Sequence, residues 1–188
     1  MKYYELMYNH RNSHNCISCE KGNLGKINEY IVTIGQYIYN WEDHIEFKYN
    51  PNNGELFTDY LFNIYGWLVV SDKFIGLCDE YINANVQYLN INIKNELDNS
   101  ITSSYKVINI LDIVDAIELE HSDYSEFELD NEKFISIAKY AINSEKVNGH
   151  HIFRLKNSTI PIFISEKIKS IIEQNNLTGF DFLEIKSV

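Results

Sequence analysis

An α+β fold, with mixed β-sheets and a few short helices, follows from three observations on this chain of 188 residues. The sequence is broken into short β-branched and aromatic runs of strand length. Two stretches carry apolar residues at convincing helical spacing, and each of them lies between two strand-like runs. With 45% hydrophobic residues and two prolines, the chain has apolar material for a packed core and little of the composition of disorder. Its length suits one domain over residues 1–188 better than two.

The two helical stretches share a plan. In Ile160–Ile185 a β-branched strand, Ile160–Ile164, ends at Ser165, a residue type suited to capping a helix, and Glu166 follows at the positive end of the helix dipole. Ile168, Ile171 and Ile172 then share one face, while Asn175, Asn176 and Gly179 close the helix before another strand. In Trp67–Ile93 the same offsets recur from Ser71: Asp72, Lys73, then Phe74, Leu77 and Cys78, with Asn85 at the place of Gly179. Two similar strand–helix–strand units, around Ser71 and Ser165, are therefore expected.

In chain order, Lys2–Tyr8 reads as a first strand that needs a neighbour. Asn9–Asn28 is polar and glycine-containing and reads as a loop. Glu29–Trp41 is β-branched and aromatic and reads as a strand, bent at Gly35. Asn50–Gly54 is a turn, and Phe57–Tyr65 a short piece leading into the first unit. Gly76 lies inside the first helix, which must then be held by its buried face. Tyr105–Ile110 is a strand. Phe134–Ile142 fits helix and strand templates equally, Asn148–Gly149 is a turn, and His151–Leu155 a strand before the closing unit.

Charge bounds the function. The net charge is −11 and the only arginines are Arg11 and Arg154, which argues against direct nucleic-acid binding and for a basic partner. From Asp112 to Glu132 the carboxylates run without an intervening Lys or Arg. There is no leader-like opening and no apolar run of membrane-spanning length, so a cytoplasmic protein is expected. Three cysteines fit a reducing compartment.

Few residues suggest chemistry. His10, His14, Cys16 and Cys19 are zinc-binding types compressed into one loop, which is either a metal site or a polar loop with reduced thiols. Ser71 and Ser165 sit at strand-to-helix junctions but lack the flanking glycines of a nucleophile elbow, so capping explains them. His121, Ser122 and Asp123 are merely adjacent, and His150 and His151 lie beside a turn. No phosphate-cradling loop or dinucleotide fingerprint is present, and no cofactor is expected.

The runs WLVVSDKF, YKVINIL with the following IVDAIELEHSDY, HIFRL, and the closing PIFISEKIKSIIEQNNLTGFDFLEI resemble a bacterial family once known only as a domain of unknown function. That family now stands among the immunity proteins of polymorphic toxin systems, as family eleven. The likeness covers Asp59 to Ile185 and is most specific at LTGFDF; residues 1–45 lie outside it. The resemblance implies a non-enzymatic α+β protein that binds and neutralises a cognate toxin domain inside the producing cell. Because the shared motifs are caps, turns and apolar strands, contact residues have to be read from charge. Asp112, Asp115, Glu118, Glu120, Asp123, Glu126 and Glu128 are the expected toxin-facing carboxylates, against the plain alternative of a solvated acidic loop. The other functional reading is a small-ligand or metal-binding regulatory protein built on the N-terminal His/Cys loop.

Overall fold

The structure, a computed structural model, describes residues 1–12, 14–42, 44–82, 85–129 and 132–188. Two sheets and two helices dominate it. The first sheet has six strands in the order β10 (Ile113–Val114), β14 (Ile152–Leu155), β15 (Ser158–Ser165), β1 (Tyr3–Tyr8), β16 (Phe180–Ser187) and β13 (Ala141–Ile142). Its four inner strands are antiparallel, while β10 and β13 add to the edges in parallel. The second sheet has eight strands: β6 (Val86–Asn90), β9 (Tyr105–Ile110), β5 (Val69–Ser71), β4 (Tyr60–Asn63), β2 (Ser18–Asn23), β3 (Glu46–Tyr49), β7 (Asn92–Asn95) and β8 (Ile101–Thr102). The α+β expectation holds, with strands far outweighing helix.

Helix α1 (Asp72–Ile82) joins β5 to β6, and helix α2 (Glu166–Gln174) joins β15 to β16. In each case the joined strands do not touch: β9 lies antiparallel between β5 and β6, and β1 lies antiparallel between β15 and β16. The predicted first strand thus finds two neighbours. The serines, however, differ. Ser71 Oγ accepts the Phe74 N–H at 3.2 Å and donates to Asp59 at 2.7 Å, so it caps α1. Ser165 makes no side-chain cap; its fully buried hydroxyl is drawn instead to His151 Nδ1, 2.8 Å away across the β14–β15 pair. Glu166 still supplies a favourable charge in the first turn of α2.

The helices pack beside one another and bury a shared cluster. Phe74, Cys78 and Ile82 of α1 stand one turn apart and face Ile168 and Ile172 of α2 across that cluster, as the apolar spacing requires. Period-two alternation then sorts each strand. Ile162 and Ile164 join the helices, while Phe163 between them joins a second cluster with Tyr3 and Phe153; Ile108 and Ile110 join the helices, while Val107 faces a third cluster with Phe47 and Trp67. Each such side chain, fully buried, contributes about 1.5–3 kcal/mol. Gly76 sits on the outer face of α1, where an added methyl would meet nothing.

The two sheets are stitched by hydrogen bonds where β4 begins. Tyr60 N–H donates to Thr178 O at 3.0 Å, and Asp59 accepts from the Thr178 N–H at 2.9 Å and from its hydroxyl at 3.1 Å. Gly179 follows with φ +88, and a Cβ there would lie 2.3 Å from Tyr60 O. The LTGFDF run therefore marks the crossing of β4 over the start of β16, where only glycine fits.

Two expectations fail. Glu29–Trp41 is not a strand: it holds one 3₁₀ turn, Ile31–Thr33, and is otherwise irregular. Val32 and Ile38 are buried, with Ile31 and Trp41 packed against the same cluster, and the backbone of Ile38 is bonded through its N–H and C=O by the Gln87 side-chain amide in place of a neighbouring strand. Asn9–Asn28 is not all loop, since Ser18–Asn23 forms β2. Its polar sequence hid it, yet Cys19 is fully buried, and Gly22 allows an approach to Glu46 O that a Cβ, only 1.9 Å away, would block. Phe134–Ile142 resolves as strand, forming β12 (Glu132–Lys139) and β13.

Candidate functional site

The acidic run from Asp112 to Glu132 is not a loop. Its second half forms β11 (Asp123–Leu129), which pairs antiparallel with β12 as a ribbon of its own. Every residue of β11 is exposed, and all but one of β12. Among the described residues neither strand pairs with any other, so the ribbon is an arm held only at its base. Leu129 pairs with Glu132, and Asp130 and Asn131 lie outside the described residues.

The base is built from few contacts. Ser122 Oγ donates to Glu118 O at 2.8 Å and accepts from the Ala141 N–H at 3.0 Å, pinning both ends of the arm to β13. The hydroxyl between His121 and Asp123 is thus a structural tie. Ile137 packs against the cluster of Phe153 and Phe163. Under it lies a cleft of about 290 Å³, lined by Ile117, Leu119, Ile135 and Ile137 on one side and Lys156 to Ser158 on the other.

Seven carboxylates were expected to face a partner, and the structure divides them. Asp112 is largely covered and meets His150 Nδ1 at 2.6 Å. Asp115 pairs with Lys156 at 2.9 Å on the surface, and that ammonium holds its carboxyl below the usual range. Glu118 accepts from Asn143 Nδ2 at 3.0 Å. These three are tied to the body. Glu120, Asp123, Glu126 and Glu128 are exposed, the last three along β11, which carries no base.

Alternation splits the arm into two faces. Tyr124, Glu126 and Glu128 stand opposite Ile137, Ile135 and Lys133, on the face turned to the cleft. The other face carries Ser125, Phe127 and Leu129 opposite Ser136, Phe134 and Glu132. Phe127 and Phe134 are directly paired and stacked, with centroids 5.6 Å apart and planes at 21°, yet they are 50% and 39% exposed. The sequence reading missed this pair because it followed the charge. The alternation of YSEFEL against KFISIA was the available signal.

The N-terminal ligand types are not assembled. Cys19 faces the apolar core, where burial pushes its thiol up to about 12. His10 packs its ring against Tyr8 and Phe62, His14 is exposed, and Cys16 stands half-buried in a bridge to Leu56. Among the described residues no three His, Cys, Asp or Glu side chains stand together as a metal site would need.

The other polar groups serve the fold. His151, half-buried between Ser165 and the Tyr81 ring, is held below the ordinary histidine value by burial and then by Lys167 and His150. Arg154 is fully buried; Nη1 donates to Thr159 O at 2.5 Å and Ile160 O at 2.6 Å, while Nε and Nη2 find no partner among the described residues. Burial lowers its value to about 10. No described helix is long and apolar enough to cross a membrane.

Fold and surface define an α+β protein whose most prominent feature is a projecting acidic ribbon bearing an exposed aromatic pair. The model of the immunity protein family Imm11 matches residues 2–187, and the chain belongs to that family. The match takes in residues 2–45, which the sequence resemblance left outside; the structure accounts for this, since β1 is an inner strand of its sheet and β2 lies within the other. No curated protein matches the chain.

Proposed function

We propose that this protein is a non-enzymatic immunity protein that binds and neutralises a cognate toxin domain in the cytoplasm of the cell that makes both. The family match over nearly the whole chain carries this reading. Neutralisation here is stoichiometric occlusion, in keeping with serine hydroxyls committed to a helix cap and to a buried histidine contact.

The contact surface is the projecting part of the acidic run, Glu120, Asp123, Glu126 and Glu128, facing a basic toxin surface. We leave Asp112, Asp115 and Glu118 out of this surface because they are bonded to His150, Lys156 and Asn143. Carboxylates in such a position accelerate encounter with a basic partner, and salt screens them. The test is co-expression with the toxin domain encoded by the adjacent upstream gene, together with measured association rates at low and high salt. Protection by the wild type, and loss of the salt dependence in Asp123→Lys/Glu126→Lys/Glu128→Lys, are expected. No protection would refute the function; protection with an unchanged salt dependence would refute the surface.

A further inference from the structure

We infer that the arm enters the toxin domain with its aromatic face, the stacked Phe127–Phe134 pair filling an apolar recess whose basic rim meets the β11 carboxylates. This rests on the proposed immunity function and specifies how the partner is held. Four observations lead to it.

First, the arm is made in a way that folding alone does not explain. A two-stranded ribbon is marginally stable in water, and this one buries little beyond part of Ile137 at its base, Ile135 itself being 47% exposed. At eight residues, β12 is about 26 Å long, and it is the Ile135–Lys139 end that borders clefts against the body, with the Phe134 end beyond. Second, the apolar residues are on the wrong side for the core. Phe127, Leu129 and Phe134 lie on the face opposite Ile135 and Ile137, and Phe127 and Leu129 remain 50% and 59% exposed. A contiguous apolar patch on a slender element marks a surface that becomes covered in a complex.

Third, the pair has the form of an anchor. Two stacked rings, mutually held by their cross-strand register, lose little freedom on insertion, and aromatic side chains dominate the energetics of interface centres. Fourth, the surroundings select the partner's charge. Asp123, Glu126 and Glu128 lie along one strand, with Glu132 beside Leu129 on the aromatic face; Lys139 and Lys133 stand opposite Asp123 and Glu128, leaving the ribbon net acidic within a chain that carries −11. A second copy of this chain would bring the same negative charge to the contact, so a basic partner is the better occupant.

The experiment uses the full chain and the purified toxin domain encoded by the adjacent upstream gene, with binding followed by surface kinetics. Phe127→Ser/Phe134→Ser should weaken affinity at least ~30-fold, mainly through faster dissociation, and leave the thermal midpoint of the free protein nearly unchanged. Tyr37→Ser/Tyr39→Ser, which removes a different exposed aromatic pair in the 30–40 segment, should bind as wild type does. Should the double variant fold poorly, Phe127→Ser alone, at the more exposed ring, should still lose ~10-fold. Affinity within about threefold of wild type in the folded arm variants overturns the inference, while continued protection by them leaves the immunity function standing. If wild type itself fails to bind the toxin domain, both fall. A concentration-dependent dimer that the arm substitutions abolish would assign the face to a second copy and also overturn it.

Discussion

The crossing at Gly179 yields a prediction whose two energetic parts can be separated. Gly179 and Gly149 have nearly the same backbone, φ +88 and +87, but different surroundings: a Cβ on Gly149 meets nothing within 4 Å, whereas on Gly179 it lies 2.3 Å from Tyr60 O and 2.9 Å from Thr58 Oγ1. Alanine at either position carries the left-handed conformational cost of about 1–2 kcal/mol. Only Gly179→Ala must also push the β4 backbone away, and forced overpacking of this kind costs a further ~1–3 kcal/mol. The carbonyl cannot simply rotate aside, because the neighbouring Tyr60 N–H is bonded to Thr178 O and Asp59 to Thr178. Gly149→Ala should thus lose about 1–2 kcal/mol and Gly179→Ala about 2 kcal/mol more, a difference of roughly 4–8 °C in melting temperature for a chain of this size. Urea unfolding of both variants, with equal m-values as the check on two-state behaviour, measures it. If the two losses agree within about 0.5 kcal/mol, the ordinary scale of surface effects, the tight crossing is refuted.

Two further outcomes follow from buried charge. The buried Arg154 guanidinium, held at about 10 against an ordinary 12.5, meets no carboxylate among the described residues, so Arg154→Met should be neutral or raise stability by ~1–2 kcal/mol once the lost bonds to Thr159 O and Ile160 O are set against the relieved desolvation. A loss beyond ~2 kcal/mol in urea unfolding would show the charge to be well satisfied. For His151, the folded protein disfavours the cation, so the unfolded chain protonates first as pH falls. Stability should therefore decline as pH drops below 6.5, and His151→Gln should show a shallower decline; parallel profiles for wild type and variant would reject this.

The fold class and both helices were legible because the apolar period held at Phe74 and Cys78 and again at Ile168 and Ile172, and cap chemistry agreed with it at Ser71. The Ser165 cap was misread because a hydroxyl at a helix start can bond elsewhere, and the histidine that captures it lies just before the neighbouring strand. Likewise the 29–41 stretch has strand composition but is bonded by the Gln87 amide, a long-range partner that no local pattern shows. In the acidic run, charge announced a surface, while its division between Asp112, Asp115 and Glu118 on the body and Asp123, Glu126 and Glu128 on the arm depends on where His150, Lys156 and Asn143 fall in space. Composition cannot carry that information.

Strand β1 has a kinetic consequence. It is the third residue of the chain that pairs with Ile185, and the whole strand is wedged between β15 and β16. During synthesis β1 emerges long before β15 and β16, and remains without these partners until both have followed. The six-stranded sheet closes only through pairings between residues far apart in sequence, a topology that slows its assembly relative to locally paired strands.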